Sequence, residues 1–127
     1  MSDCCRVKGG RIELRFNGQI YEGEGDVTIM PTNTTREEGA TTSGKAIVRA
    51  TPRSYGFEIE NYIQTCDNDP IDLWYGCDLD ATVVERENGT RHLFTGGMMV
   101  GDPQLNISKG QLAGLKFIAD DYQKRGA

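Results

Sequence analysis

The sequence predicts a mainly β protein: an antiparallel β-sandwich or barrel with one short flanking helix and a long protruding β-arm loop. Three observations lead there. Asn17-Gly18 and Asn88-Gly89 each separate stretches of alternating residues, and Asn-Gly best tolerates the positive φ angles of a tight hairpin. Apolar residues recur with the period of two that marks half-buried strands. Among 127 residues there are 16 glycines, and the hydrophobic share is 37%. Such a composition suits short strands and many turns better than a helical bundle.

Residues 1–10 are polar, carry Cys4 and Cys5 and end in Gly9-Gly10, so they are expected to form a flexible arm outside a single domain of residues 11–121. The domain opens with a strand in which Ile12, Leu14 and Phe16 alternate with Arg11, Glu13 and Arg15. Asn17-Gly18 turns the chain into a long second strand, about 19–30, whose apolar face carries Ile20, Val27 and Ile29. Gly23 and Gly25 are placed to bend it or to mark a bulge.

Residues 31–45 hold five threonines and a single small apolar residue, Ala40, and so have almost nothing to bury. Loops of more than about 12–15 residues are uncommon in compact domains and are usually functional or disordered. A strand over 46–51 returns from this loop and stops at Pro52. It is expected to combine with the second strand into a protruding β-arm with a polar tip.

Another strand spans 55–63, with Phe57, Ile59 and Asn61 set against Glu58, Glu60 and Tyr62. Asp69 is then a good N-cap, Pro70 suits the first helical position, and Gly76 can end a short helix of about two turns. Residues 80–121 read as two hairpins, the first turning at Asn88-Gly89 and the second around Ser108-Lys109-Gly110. Residues 122–127 are expected to form a frayed tail.

The net charge of −5 is uneven. Between residues 57 and 88, nine acids face Arg86 alone, whereas residues 1–18 are net positive. An acidic body argues against nucleic-acid binding, which draws most of its affinity from neutralising phosphates. The basic start suits docking on an acidic neighbour. No stretch approaches the roughly 20 apolar residues of a membrane span, and the first residues lack the apolar core of a signal peptide. The chain is therefore expected to be made in the cytosol, with no membrane partner.

Material for catalysis is thin. His92 is the single histidine and alternates with Leu93 along a strand, where packing explains it better than chemistry. Patterns of hydrolases, metalloproteases or phosphate loops are missing. Asp67, Asn68, Asp69 and Asp72 faintly resemble a calcium loop but lack its glycine and terminal glutamate, and helix capping accounts for them. No catalytic residue, metal site or cofactor is expected.

The cysteines differ. Cys4-Cys5 with Cys66 and Cys77 does not fit zinc-ligand spacing. Adjacent cysteines have Cα atoms about 3.8 Å apart, too close for a relaxed disulfide. Cys66 and Cys77 flank the short helix and are placed either to bridge each other or to accept the arm. One reading leaves four reduced thiols without a role, as is usual in the cytosol. The other pairs Cys4 or Cys5 with Cys66 or Cys77 of another protomer, oxidised once a particle assembled in the cytosol has been released.

The order of elements, with VVERENGTRHLF, Gly96-Gly97 and a last hairpin over 105–121, resembles the phage tail tube proteins of Mu-like contractile (myovirus) tails. The similarity covers residues 11–121, although no cysteine pattern belongs to the family. It implies a virion protein assembled in the host cytoplasm, six copies to a ring and rings stacked into a hollow conduit for DNA ejection. Implied partners are further copies of itself, the tail sheath, baseplate and tail terminator proteins, and a tape measure protein or DNA in the lumen. On that resemblance Thr32, Asn33, Thr34, Thr35, Arg36, Glu37, Glu38, Thr41, Thr42 and Ser43 become an inter-ring loop. Glu22, Glu24, Asp26, Thr28 and Arg49 become lumen candidates, because an acidic wall repels passing DNA. The alternatives are the tube of a headless contractile injection particle and an OB-like binding barrel. The OB reading needs interleaved basic and aromatic residues, and the acidic body opposes it.

Overall fold

The computed structural model describes residues 6–126. Eight strands form: β1 Ile12–Phe16, β2 Gln19–Met30, β3 Thr34–Ala40, β4 Ala46–Pro52, β5 Tyr55–Ile63, β6 Leu79–Glu85, β7 Arg91–Asn106 and β8 Gln111–Arg125. Six of them close an antiparallel barrel in the order β1-β2-β5-β8-β7-β6, and β3 and β4 form a separate two-stranded sheet. The mainly β class and the antiparallel barrel are thus as the alternation predicts. Closure leaves no open edge in the barrel.

The barrel core is aromatic. Phe16, Phe57, Phe94 and Phe117 are all essentially inaccessible, and their ring centroids lie 5.2–6.1 Å apart where they pair. Such spacings are typical of tilted and edge-to-face packing. Leu14, Val83, Leu112 and Leu115 fill the layers between them. A 3-10 helix, Pro70–Tyr75, follows β5, with Asp69 as N-cap accepting from the Ile71 N–H at 3.2 Å and Gly76 as C-cap. Its Leu73 is buried in the core.

The turns divide according to their backbone angles. Asn17 and Gly18 adopt φ of 51° and 83° between the paired Phe16 and Gln19, giving a two-residue hairpin. Asn88-Gly89 is different. Only Gly89 has positive φ, and the loop spans residues 86–89 between the bonded Glu85 and Thr90. Asn88 is drawn inward to hydrogen-bond Glu85 and Val7, and its Oδ1 accepts from the Thr90 N–H. These bonds replace the conformation of a tight turn.

Five expectations change. Residues 31–45 are not a single loop: Thr34–Ala40 is strand β3, which pairs with β4 from Thr34↔Pro52 to Ala40↔Ala46. The long second strand pairs instead with β5, from Glu22↔Ile63 to Met30↔Gly56. A polar hairpin needs backbone pairing and a turn more than a buried face, and Gly44, at φ 87°, supplies the turn.

The alternation in β5 also slips. Tyr62 is fully buried, and the reversal lies beside the irregularity between Glu24 and Val27 of β2, where the pairing with β5 shifts by one residue. The two hairpins expected over 80–121 are not separate, because one strand, β7, runs on through Gly96-Gly97 to Asn106. An irregularity between Gly101 and Gln104 absorbs Asp102-Pro103. Gly114 faces it at φ 86°, where a Cβ would overlap the Asp102 carbonyl. Finally, Tyr122 to Arg125 continue β8 rather than fraying, paired with Phe94 to Arg91. Tyr122 anchors this end against Phe94, His92 and Tyr55.

Candidate assembly interface

The sheet of β3 and β4 leaves the barrel between β2 and β5 as a hairpin arm. Thr32 and Asn33 lie in its root, where the Arg53 guanidinium donates to the Thr32 carbonyl at 3.0 Å and the Arg53 N–H to the Asn33 carbonyl at 2.8 Å. Thr34, Thr35, Arg36, Glu37 and Glu38 lie on β3, and Thr41, Thr42 and Ser43 form the tip. Thr41 closes that tip by accepting from the Gly44 and Lys45 N–H groups. Every residue of β4 except Ile47 is exposed, and Val48 is 66% exposed. The core and the residues packed on it include none from 31–54.

Glu22 and Glu24 lie on the outer side of β2, since Gly23 between them points at Ile59 and Leu14, and Thr28 is exposed between Val27 and Ile29, which pack on the core. Across the strand pair, Glu58 faces Thr28. Asp26 sits at the irregularity, its N–H donating to Glu60 at 2.7 Å. Five carboxylates thus share the β2–β5 flank, and on it Lys116 lies 3.9 Å from Glu58. Arg49, by contrast, belongs to the arm, where it pairs with Glu37.

Cys66 and Cys77 are exposed, free thiols on either side of the 3-10 helix. Cys4 and Cys5 lie outside the described residues. Asp69, in the faint calcium pattern, caps the helix, and Asn68 donates to the Ile20 carbonyl at 2.8 Å. Among the described residues there is no cluster of metal-ligating side chains, and no helix is long and apolar enough to cross a membrane.

His92 is a packing residue. Its Nε2 lies 2.6 Å from Glu85 and its Nδ1 2.7 Å from the Tyr122 hydroxyl, with the two rings stacked. The His92 hydrogen bond holds the Glu85 carboxyl below its ordinary pKa, and burial raises that of Tyr122. Asn88 joins this network and donates to the Val7 carbonyl at 3.1 Å, tying the N-terminal segment to one end of the barrel. Nearby, the backbone N–H and guanidinium of Arg11 hold the Glu87 carboxyl below its ordinary pKa.

One surface feature is not apparent in the sequence. The outer side of β1, β6, β7 and the end of β8 forms a shallow groove of about 430 Å³ lined by Glu13, Arg15, Arg86, Arg91 and Arg125, with Thr82, Val84 and Leu93 as its floor. Arg86 and Arg91 flank one hairpin loop, and strand register brings Arg15 and Arg125 to them from distant parts of the chain. The signal available was the alternation itself: Arg15 and Arg91 both fall on the polar side of their strands.

A family model described as phage tail tube protein matches residues 6–124. The fold is similar to the solved structure of Hcp1 from Flavobacterium johnsoniae, with a TM-score of 0.55 and 13% identity, covering 91% of this chain and 95% of that one. No curated protein matches the sequence.

Proposed function

The chain belongs to the phage tail tube protein family, whose members are structural components of the virion and not enzymes, and from that premise we propose that it forms hexameric rings that stack into a hollow conduit for DNA ejection. The arm carries this reading. An isolated two-stranded hairpin is marginally stable in water at best, yet β3 and β4 extend from the barrel with Val48 exposed and no residue of 31–54 in the core. A surface supplied by the next ring would cover it, and residues 32–43 would form the inter-ring contact. Free backbone edges on the arm suit strand addition.

The β2–β5 flank, with Glu22, Glu24, Asp26 and Thr28, would line the lumen and repel DNA phosphates. Arg49, on the arm, would stand where successive rings meet. In a contractile tail the tube would run inside a sheath, with the baseplate and terminator proteins at its ends and a tape measure protein within. Residues 1–10 would form an arm whose Cys4 or Cys5 crosslinks to Cys66 or Cys77 of a neighbour, and both of these acceptors are exposed.

Electron microscopy of the purified full-length protein tests the assembly, with six-fold rings or long hollow tubes expected. Persistent monomers under all conditions would overturn it. Non-reducing electrophoresis of assembled particles tests the crosslink separately, because a monomer band unchanged by reductant would remove the disulfide and leave the tube.

A further inference from the structure

We propose that the arginine-lined groove on β1, β6 and β7 is a docking site for an acidic peptide segment of a protein that encases the tube. The inference rests on the tube reading, and specifically on the β2–β5 flank facing the lumen. Strand order places β7 directly across the barrel from β2, and β6 across from β5. With the acidic flank inward, the groove faces outward.

Register assembles it. Glu13, Val84, Arg91 and Arg125 form one row across four strands, and Arg15, Thr82 and Leu93 form the next. Arg86 extends the β6 side. Four guanidinium groups meet one carboxylate, Glu13, which already pairs with both Arg15 and Arg86, the latter at 2.8 Å. Arg91 and Arg125 sit directly opposite each other, and neither makes an ion pair among the described residues.

Like charges in facing positions destabilise a sheet. A chain of net charge −5 therefore keeps a local, unneutralised positive field on this flank. The planar fork of arginine matches a carboxylate with two parallel hydrogen bonds. Successive same-face side chains of an extended peptide lie about 6.8 Å apart, the same repeat as the rows of the groove. Val84 and Leu93 offer an apolar floor for the methylenes of glutamate. Nucleic acid is the lesser fit, because four cations beside a carboxylate release few counterions and DNA belongs on the other side of the wall.

The test uses assembled tubes of the full chain and a fluorescein-labelled oligoglutamate peptide, read by fluorescence anisotropy. Parent tubes should bind it in a salt-dependent manner. R91Q/R125Q tubes should bind at least about tenfold more weakly, as expected for the loss of charge-assisted pairs. R91K/R125K keeps the charge but not the fork, and should fall between the two. This variant decides the matter if the glutamine pair does not fold.

Parent tubes that ignore the peptide, or a glutamine variant that binds it equally well, would overturn the proposal. So would a labelled single-stranded oligonucleotide that binds the groove as tightly. Binding by free subunits but not by tubes would show that another copy covers the groove, removing the docking site and keeping the tube. Failure of the parent to form tubes would remove the premise itself.

Discussion

Replacing residues 31–54 with a four-residue glycine-rich turn should leave the barrel intact and abolish stacking. The ends to be joined are already neighbours, since Met30 and Gly56 are paired across β2 and β5. The apolar transfer term is close to zero, because the core and the partly buried residues on it include none from this segment. The hydrogen bonds of Thr32, Thr41, Lys45 and Arg53 all close within the segment. Shortening the connection about six-fold reduces its closure cost by roughly 1.6 kcal/mol. The barrel should therefore be as stable as the parent or slightly more so.

Urea denaturation at low protein concentration, followed by fluorescence of Trp74, reports on the barrel, because Trp74 packs against its core. Electron microscopy of the same variant reports on stacking, and single rings are the expected product. A loss of more than about 2 kcal/mol, well outside the range of an uncoupled surface change, would mean that the arm is part of the folding unit. Normal tubes from the shortened chain would refute its role between rings.

Three further outcomes follow from the core and the polar network. Phe117→Ala removes a ring packed against Phe16, Phe57 and Phe94, and should cost about 3–5 kcal/mol in urea denaturation. Tyr62→Phe should be neutral or stabilise by about 1 kcal/mol, because the buried Tyr62 hydroxyl has no hydrogen-bond partner among the described residues. Destabilisation by Tyr62→Phe would reveal a hidden partner. Glu85 has its folded pKa depressed, chiefly by the His92 hydrogen bond. Its stabilisation is present above the ordinary carboxylate pKa and is lost as pH falls through the folded value. Glu85→Gln should accordingly be less stable than the parent near neutral pH, with the gap narrowing in acid, and an unchanged gap in acid denaturation series would contradict the assignment.

The fold class, the Asn17-Gly18 hairpin, the capped helix and the polarity of the arm are all legible in the amino-acid sequence. Each rests on information within a few residues: alternation sets a strand's face, a turn dipeptide sets φ, and a side chain caps the N–H groups beside it. Residues 31–45 were recognisable as something other than core, but β3 was not, since a strand without an apolar face has no periodicity to show. The burial of Tyr62 is not legible in β5 itself, since it accompanies an irregularity that is a property of the pairing with β2. The continuation of β8 through Arg125 depends on Tyr122 meeting His92 and Phe94, a contact visible only once the barrel closes.

For the same reason the candidate surfaces were unevenly legible. The acidic flank could be read because its carboxylates cluster along the chain as well as in space. The arginine groove exists only in the closed barrel. Arg15, the Arg86 and Arg91 pair and Arg125 come from three separate stretches, and it is inter-strand register, a property of pairs of segments, that brings their charges together.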